Sequence, residues 1–493
     1  MKGSAPASAR PISPVNALHG MTTLAAQYRC AQSLGAAALA LYAAVPAAAQ
    51  TTDASRAPTL TIERYDEDWA VLADPAKRTG HWTEGAKYIP LGDDDGAYLT
   101  TGIEARSRYE GYRNTNWGAS PDQGYVWHRL MPYADLHVGK VRLFAQPILS
   151  TISGADAPKR PVDTTGIDVT QAFGEVEIDV AKDTVLKVAA GRRLLSLGAG
   201  RFIDTRYGPG VPLPFDGVQA TANRGRSQVT LLYLRPVSTM PGNFNDRTES
   251  DRSAWGAYAT RWFGSDRAQG VDVYYLGYRD RHAVFDQGLG REVAHTIGTR
   301  LFGDTGRWYW NVEGVLQRGS FAGMPVRAWG AGGEVGRRFP ALPWKPEVAL
   351  LSDVISGDRN PNDHVLGTFN PMFPRGKYFG ALTPVGPRNL IHLRPSTTVH
   401  PAANVALSLT GVAYWRESKG DGIYNIPGFL VRSGRDASAR FIGKQLELAI
   451  AWQATRELNL STQLSTFAPG AFIRETGPAK SIRMLGAAAN FRF

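Results

Sequence analysis

The chain has 493 residues, 43% of them hydrophobic, and carries 55 Lys and Arg against 44 Asp and Glu, a formal charge of +11. Its mean hydropathy of −0.25 excludes a bundle of membrane helices. The basic residues are scattered rather than clustered, which points away from a nucleic-acid surface, while 53 Gly with 12 Trp, 19 Tyr and 19 Phe suit strands, turns and interfacial girdles.

The first element in chain order is an address. Leu34 to Val45 is a short apolar core that follows Arg29 and precedes Pro46-Ala47-Ala48-Ala49. A positive region, an apolar core and an A-x-A site make residues 1–49 a signal peptide, with Met21 as the more ordinary start. Its twelve apolar positions are too few to span a bilayer. The single cysteine, Cys30, lies in this segment, and Gln27-Tyr28-Arg29 before it do not suit a lipoprotein site. The exported chain is then free of disulfides. Residues 50–96 are polar, lack a period-two run and read as a periplasmic lead-in or partial plug, with a short helix around Glu67 to Ala73.

From Ala97 to Phe493 the pattern is different. Eighteen candidate strands follow one another, from Ala97–Glu110 to Ile482–Phe493. Among them are Thr184–Ser196, Gly270–Asp280, Arg291–Phe302 and Asn404–Arg416. Leu458, Leu460, Thr462 and Leu464 alternate with Asn459, Ser461, Gln463 and Ser465. Connections after even-numbered strands are short, as at Gly139, Arg224-Gly225 and His400 to Ala403. Those after odd-numbered strands are mostly long, as at 111–124, 197–214, 355–387 and 417–438. A barrel with periplasmic turns and extracellular loops needs this alternation, whereas a soluble sandwich does not. A propeller would show a repeat near forty residues, and there is none. The last stretch, I-R-M-L-G-A-A-A-N-F-R-F, is apolar on one face to its final Phe. The expected fold is all-β: a transmembrane antiparallel up-and-down β-barrel of about 18 strands in the outer membrane, closed by the C-terminal strand. Trp262-Phe263, Trp308, Trp310, Phe339, Trp415, Trp452 and Phe467 gather at strand ends and suit the aromatic girdles.

Residues 197–214 are too long for a turn and rich in Arg, Gly and Pro, so they form a candidate constriction. Such a loop would present Arg201 and Arg206 beside Asp204. Arginine forks pair with carboxylates at any relevant pH, so they would make weak serial sites for a polyuronate. The plainer alternative, which can hold at the same time, is that Arg201, Asp204 and Arg206 form structural ion pairs that pin the loop. Alternation places Glu104, Arg106, Arg108, Arg129, Lys187, Arg193, Arg394 and Arg416 toward the lumen. Each alone reads as a solvated wall charge; together they favour anions. Asp358, Asn360, Asn362 and Asp363 offer four oxygen side chains for calcium, or simply an extracellular turn. No other cofactor is indicated. No G-x-S-x-G or H-E-x-x-H occurs, and the nine His are dispersed, so a channel is favoured over an enzyme-bearing barrel. The shortness of 50–96 argues against a plugged, energy-coupled receptor.

Three blocks suggest a family. The first is Gly191-Arg192-Arg193-Leu194 with Gly198 to Arg206, Gly208-Pro209 and Phe215 to Val218. The second runs from Gly357 to Asp363, through Leu366 to Pro374 and Lys377 to Gly380, to Arg394-Pro395. The third is Trp415-Arg416-Glu417-Ser418 with Asp421 to Tyr424. Together they resemble the alginate-export family of outer-membrane proteins, over about Arg64 to Phe493. The resemblance implies a monomeric 18-stranded barrel with an electropositive lumen that passes an anionic polysaccharide outward. The alternative is a porin that takes up small anionic nutrients. Expected partners are outer-membrane lipid and lipopolysaccharide, the barrel-assembly machinery, and the anionic polysaccharide or small anions; nucleic acid is not among them.

Overall fold

The computed structural model describes residues 58–92, 96–155, 160–264 and 266–493. The signal-peptide reading of 1–49 lies outside them. From Ala97 the chain forms eighteen wall strands. They are β1 (Ala97–Arg113), β2 (Gln123–Val138), β3 (Val141–Ser153), β4 (Gly166–Ala181), β5 (Thr184–Arg193) and β6 (Phe215–Arg224). Next come β7 (Ser227–Ser238), β8 (Arg252–Trp262), β9 (Gln269–Phe285), β10 (Gly288–Asp304), β11 (Trp308–Phe321) and β12 (Met324–Arg338). The last six are β13 (Glu347–Ile355), β14 (Leu390–Ala402), β15 (Val405–Trp415), β16 (Phe441–Gln453), β17 (Leu458–Pro469) and β18 (Ile482–Arg492).

Each strand pairs antiparallel with its neighbours in sequence, and β18 pairs with β1 from Glu104↔Arg492 to Arg113↔Arg483. The sheet therefore closes on itself and leaves no unpaired edge, which a lipid interior demands. The alternation explains why these residues choose this form. Leu143, Ile297, Leu316 and Leu464 are exposed on the outer face, whereas Glu104, Arg129, Asp272 and Glu313 are buried on the inner one. Apolar outside and charged inside is the inverse of a soluble core and fits a barrel in a bilayer.

All eighteen expected strands are present, with ends that differ by a few residues. The largest departure is at β9 and β10, expected as Gly270–Asp280 and Arg291–Phe302. They continue to a two-residue hairpin at Asp286-Gln287, after which Gly288 takes φ +140°. Their tips rise above the apolar band, where polar residues such as Arg281 and His282 serve as strand residues. At β5 the strand ends at Arg193 instead of Ser196, because the chain turns into the lumen there. Among the expected girdle residues, Trp308, Trp452 and Phe263 are exposed at the short-turn end. Phe467 differs: it is fully buried, 5.9 Å from Trp117 and 5.8 Å from Tyr414.

Residues 58–90 fold against the inner wall. They make 3-10 turns at Arg64–Asp66, Ala70–Ala73 and Pro75–Lys77, then a single helical turn at Glu84–Lys87. Ile89-Pro90 pairs with Tyr98-Leu99 of β1. Tyr65 packs edge-on against Phe144 and Phe173, and its hydroxyl donates to the Leu194 carbonyl at 2.6 Å. Lys87 donates to Tyr133 Oη at 2.6 Å and to the Thr101 carbonyl at 2.9 Å.

Candidate functional site

Two of the long connections turn inward and meet. The loop between β5 and β6 and the loop between β13 and β14 join through a parallel bridge at Ile203 and Phe373. The Phe373 and Arg375 N–H groups donate to the Phe202 and Gly200 carbonyls, each at 2.9 Å. Gly198 and Gly200 take φ +56° and +70°, the left-handed turns that let this approach occur. Phe202, Ile203, Phe369, Met372 and Phe373 bury one another beneath Phe215, Tyr274 and Tyr278 of the wall. The third block braces the root of the second loop. Asp421 accepts from the Asp358 N–H at 3.1 Å and from Thr368 Oγ1 at 2.5 Å, and Asn389 Nδ2 donates to the carbonyls of Ser418, Asp421 and Gly422.

The first loop crosses the lumen. At one end, Tyr207, Gly208 and Pro209 turn their carbonyls toward β1 and β2. Arg106 donates to Tyr207 O at 3.0 Å and also to Pro209 O; Arg108 reaches Gly208 O at 3.2 Å; Arg129 reaches Tyr207 O at 3.2 Å and Pro209 O at 3.3 Å. The Arg129 guanidinium also lies 4.0 Å over the Tyr207 ring. At the other end, Arg201 Nε lies 3.0 Å from Glu313 of β11, and its Nη1 bonds to Asp353 of β13 and to Tyr378 Oη. In a ring of eighteen, β11 stands opposite β2. Six Cα–Cα steps run from Arg201 to Tyr207, about 20 Å of extended chain, which with the two side chains is enough to bridge the two walls.

The arginine roles therefore differ from the simplest expectation. Arg201 and Asp204 do not pair. Asp204 instead accepts from the backbone N–H of Arg206 at 2.7 Å, and burial raises its carboxyl above the usual range. Burial opposes the charge of Arg201, but Tyr378, Asp353 and Glu313 outweigh it and hold the guanidinium above its ordinary range. Arg206 Nε donates to the Pro374 carbonyl at 3.0 Å, and burial lowers its guanidinium to about 10, still cationic at neutral pH. Arg193 lies over the rings of Tyr65 and Phe173 at 4.5 and 4.7 Å, where it holds the lead-in. Arg394 is half-buried on the inner wall, with no ion-pair partner among the described residues. Arg416 lies just beyond β15 and is not an open wall charge. Its guanidinium is caged by the carbonyls of Ala437, Ala439, Lys419 and Asp421 and stacked 4.1 Å over Phe472.

Charge is segregated across the constriction. On the side of β1, β2 and β18, Arg129 pairs with Glu104 at 2.6 Å, and Arg492 Nε lies 3.4 Å from the same carboxylate. Arg108 pairs with Glu110, and Lys377 lies 3.5 Å from it. With Arg106, five cations face two carboxylates, an excess of three positive charges. The opposite wall presents Asp272, Glu313 and Asp353, held by Arg300, Arg201, His392 and two tyrosines. Arg492, Lys377 and Tyr207 were not among the expected lumen residues, although Lys377 stands in the second family block. Alternation on β18 could have pointed to Arg492, but nothing local marks Lys377 or Tyr207.

The four expected calcium ligands form turns. Asp358 and Asn360 accept from the N–H groups two residues on at 3.2 Å, and Asp363 does so from Val365 at 2.9 Å. Among the described residues, no group of three or more His, Cys, Asp or Glu is gathered for a metal.

Solved outer-membrane porins share the fold. Pseudomonas aeruginosa OccK2 (OpdF) superposes with a TM-score of 0.55 at 11% identity, covering 82% of this chain and 99% of that one. OccK2 has also been solved in complex with glucuronate, at 10% identity and with the same TM-score and coverage. A BenF-like porin from Pseudomonas fluorescens gives a TM-score of 0.54 at 11% identity, covering 80% and 99%. No curated protein matches the chain. The family model described as alginate export matches residues 97–487, and the chain, an outer-membrane β-barrel channel, belongs to that family.

Proposed function

We propose that this channel is anion-selective and exports an anionic, uronate-bearing polysaccharide of the alginate type. One observation carries the reading: five cations and only two carboxylates gather where the crossing loop narrows the lumen, at Arg106, Arg108, Arg129, Lys377 and Arg492. A wide aqueous pore screens charge beyond about 8 Å at physiological salt, so only groups at a narrow point select strongly. There the low-dielectric wall strengthens their field. Arginine forks suit sugar carboxylates because both are planar and bidentate.

A second reading, uptake of small uronates, is supported by two observations. The inward loops pack closely against each other, and a porin of the same fold was solved with glucuronate. Planar-bilayer recordings separate the proposals. In a salt gradient the reversal potential should report anion preference that grows as salt is lowered. Alginate oligomers and glucuronate are then added in turn to the short-turn side. Block by the oligomer at far lower uronate concentration supports the exporter; block by glucuronate alone supports uptake. Cation preference in the unaltered protein would refute both.

A further inference from the structure

The outer face of the barrel carries a charged row that the lumen does not use. Arg318 of β11 and Arg327 of β12 stand directly opposite each other as Cα partners. On its other side, Arg318 faces His295 of β10. All three side chains are exposed and belong to the outward alternation. Two residues nearer the short-turn end lie Leu316 and Ile297, both strongly exposed. The row therefore sits about 7 Å along the strands from Leu316 and Ile297, toward the long loops and the outer leaflet. It continues through Gly277 of β9 to Trp255 of β8. The bare glycine lets the Trp255 indole lie across it, and the indole meets His295 edge-on at 6.2 Å. Tyr275 Oη lies 2.7 Å from His295 Nδ1.

Two like charges directly opposite on paired strands destabilise the sheet unless an anion joins them. Among the described residues, no carboxylate pairs with either arginine, and the one hydrogen bond of the Arg318 guanidinium goes to the Gln317 carbonyl at 3.1 Å. We propose that this row is a headgroup site for the phosphorylated glycolipid of the outer leaflet, lipopolysaccharide. A phosphate sits between the Arg318 and Arg327 forks, and the acyl chains lie against Leu316, Ile297 and Trp329. Phosphate matches two guanidinium forks in charge and geometry. The leaflet on the long-loop side is the one that carries lipopolysaccharide, which commits the site to that lipid.

The test is native mass spectrometry of the detergent-folded barrel titrated with lipopolysaccharide. The unaltered protein should retain it, and the Arg318→Ala/Arg327→Ala variant should bind at least tenfold more weakly. Enzymatically dephosphorylated lipopolysaccharide provides the same comparison without altering the protein and should also bind at least tenfold more weakly. Heat-modifiable mobility and single-channel conductance of the variant should stay unchanged, since both residues lie outside the lumen. Equal binding by variant and unaltered protein, or equal binding of the dephosphorylated lipid, overturns the site. So does displacement by phosphatidylglycerol at equal concentration, which would mark a general anionic-lipid surface.

Discussion

The backbone N–H of Phe373 donates to the carbonyl of Phe202 at 2.9 Å, joining the loop after β5 to the loop after β13 inside the lumen. Two sequence blocks that resemble one family for no visible local reason are thereby halves of one structure. The contact also explains why both blocks are rich in Phe, Gly and Pro. Loops buried inside a barrel must pack like a core and turn sharply to do so.

The first prediction concerns the pin at Arg201. Arg201→Ala removes the cation that Glu313 and Asp353 share, leaving them Tyr274 and His392, a loss of about 3–5 kcal/mol for a broken buried pair. The crossing loop should undock. Single-channel recordings should show higher conductance and more gating noise, with a reversal potential shifted toward zero, because the narrow point opens although the basic wall keeps its charges. A silent, unchanged channel would mean that Arg201 does not hold the loop.

The second concerns selectivity. Arg106→Glu with Arg492→Glu changes five cations and two carboxylates into three cations and four carboxylates, turning an excess of three into a deficit of one. Anion preference in a salt gradient should collapse or reverse. Arg416→Ala should leave it unchanged, since that guanidinium lies beyond the end of β15 among the carbonyls of 419–439, away from the crossing loop. Equal effects from the two variants would place the selective charge elsewhere.

The third concerns pH and the lead-in. Burial, with Arg64 nearby, lowers the Lys87 amine to about 7 from its ordinary 10.5. Between these values the undocked segment binds a proton that the docked one does not, so docking strengthens as pH rises through this window. The slope is at most about 1.4 kcal/mol per pH unit. Below about pH 7 both forms are charged and the dependence vanishes. A spin label at Ala76→Cys should become less mobile from pH 7 to 10, and Lys87→Met should flatten the curve. A label that loosens with rising pH would contradict the sign.

The fourth concerns topology. An epitope inserted at Asn243, beside the exposed Phe244 in the loop after β7, should be labelled on intact cells. One inserted after Ala403, in the short turn after β14, should be labelled only after permeabilisation. The opposite pattern would invert the barrel.

Strand number, strand order and the outward face were legible from the sequence. Each follows from local alternation: a period of two decides which side meets lipid, and a short or long connection decides which side of the membrane it occupies. The family blocks were legible as well, together with the presence of a crossing loop at 197–214. What each arginine does was not legible. Arg106, Arg129 and Arg201 belong to the expected lumen set, yet each takes its role from residues far away in the chain: Tyr207 and Pro209 for the first two, Glu313 and Asp353 for the third. Arg416 looked like a wall charge by period and became a caged strut, because the strand ends one residue before it. Lys377 carried no local signal, since its closeness to Glu110 exists only once the second loop has folded inward. Lipid acts on every residue along a strand, so its demand is written locally. A guanidinium buried in the lumen answers to whichever carbonyl or carboxylate the closed barrel brings within about 3 Å, and only the closed barrel decides that.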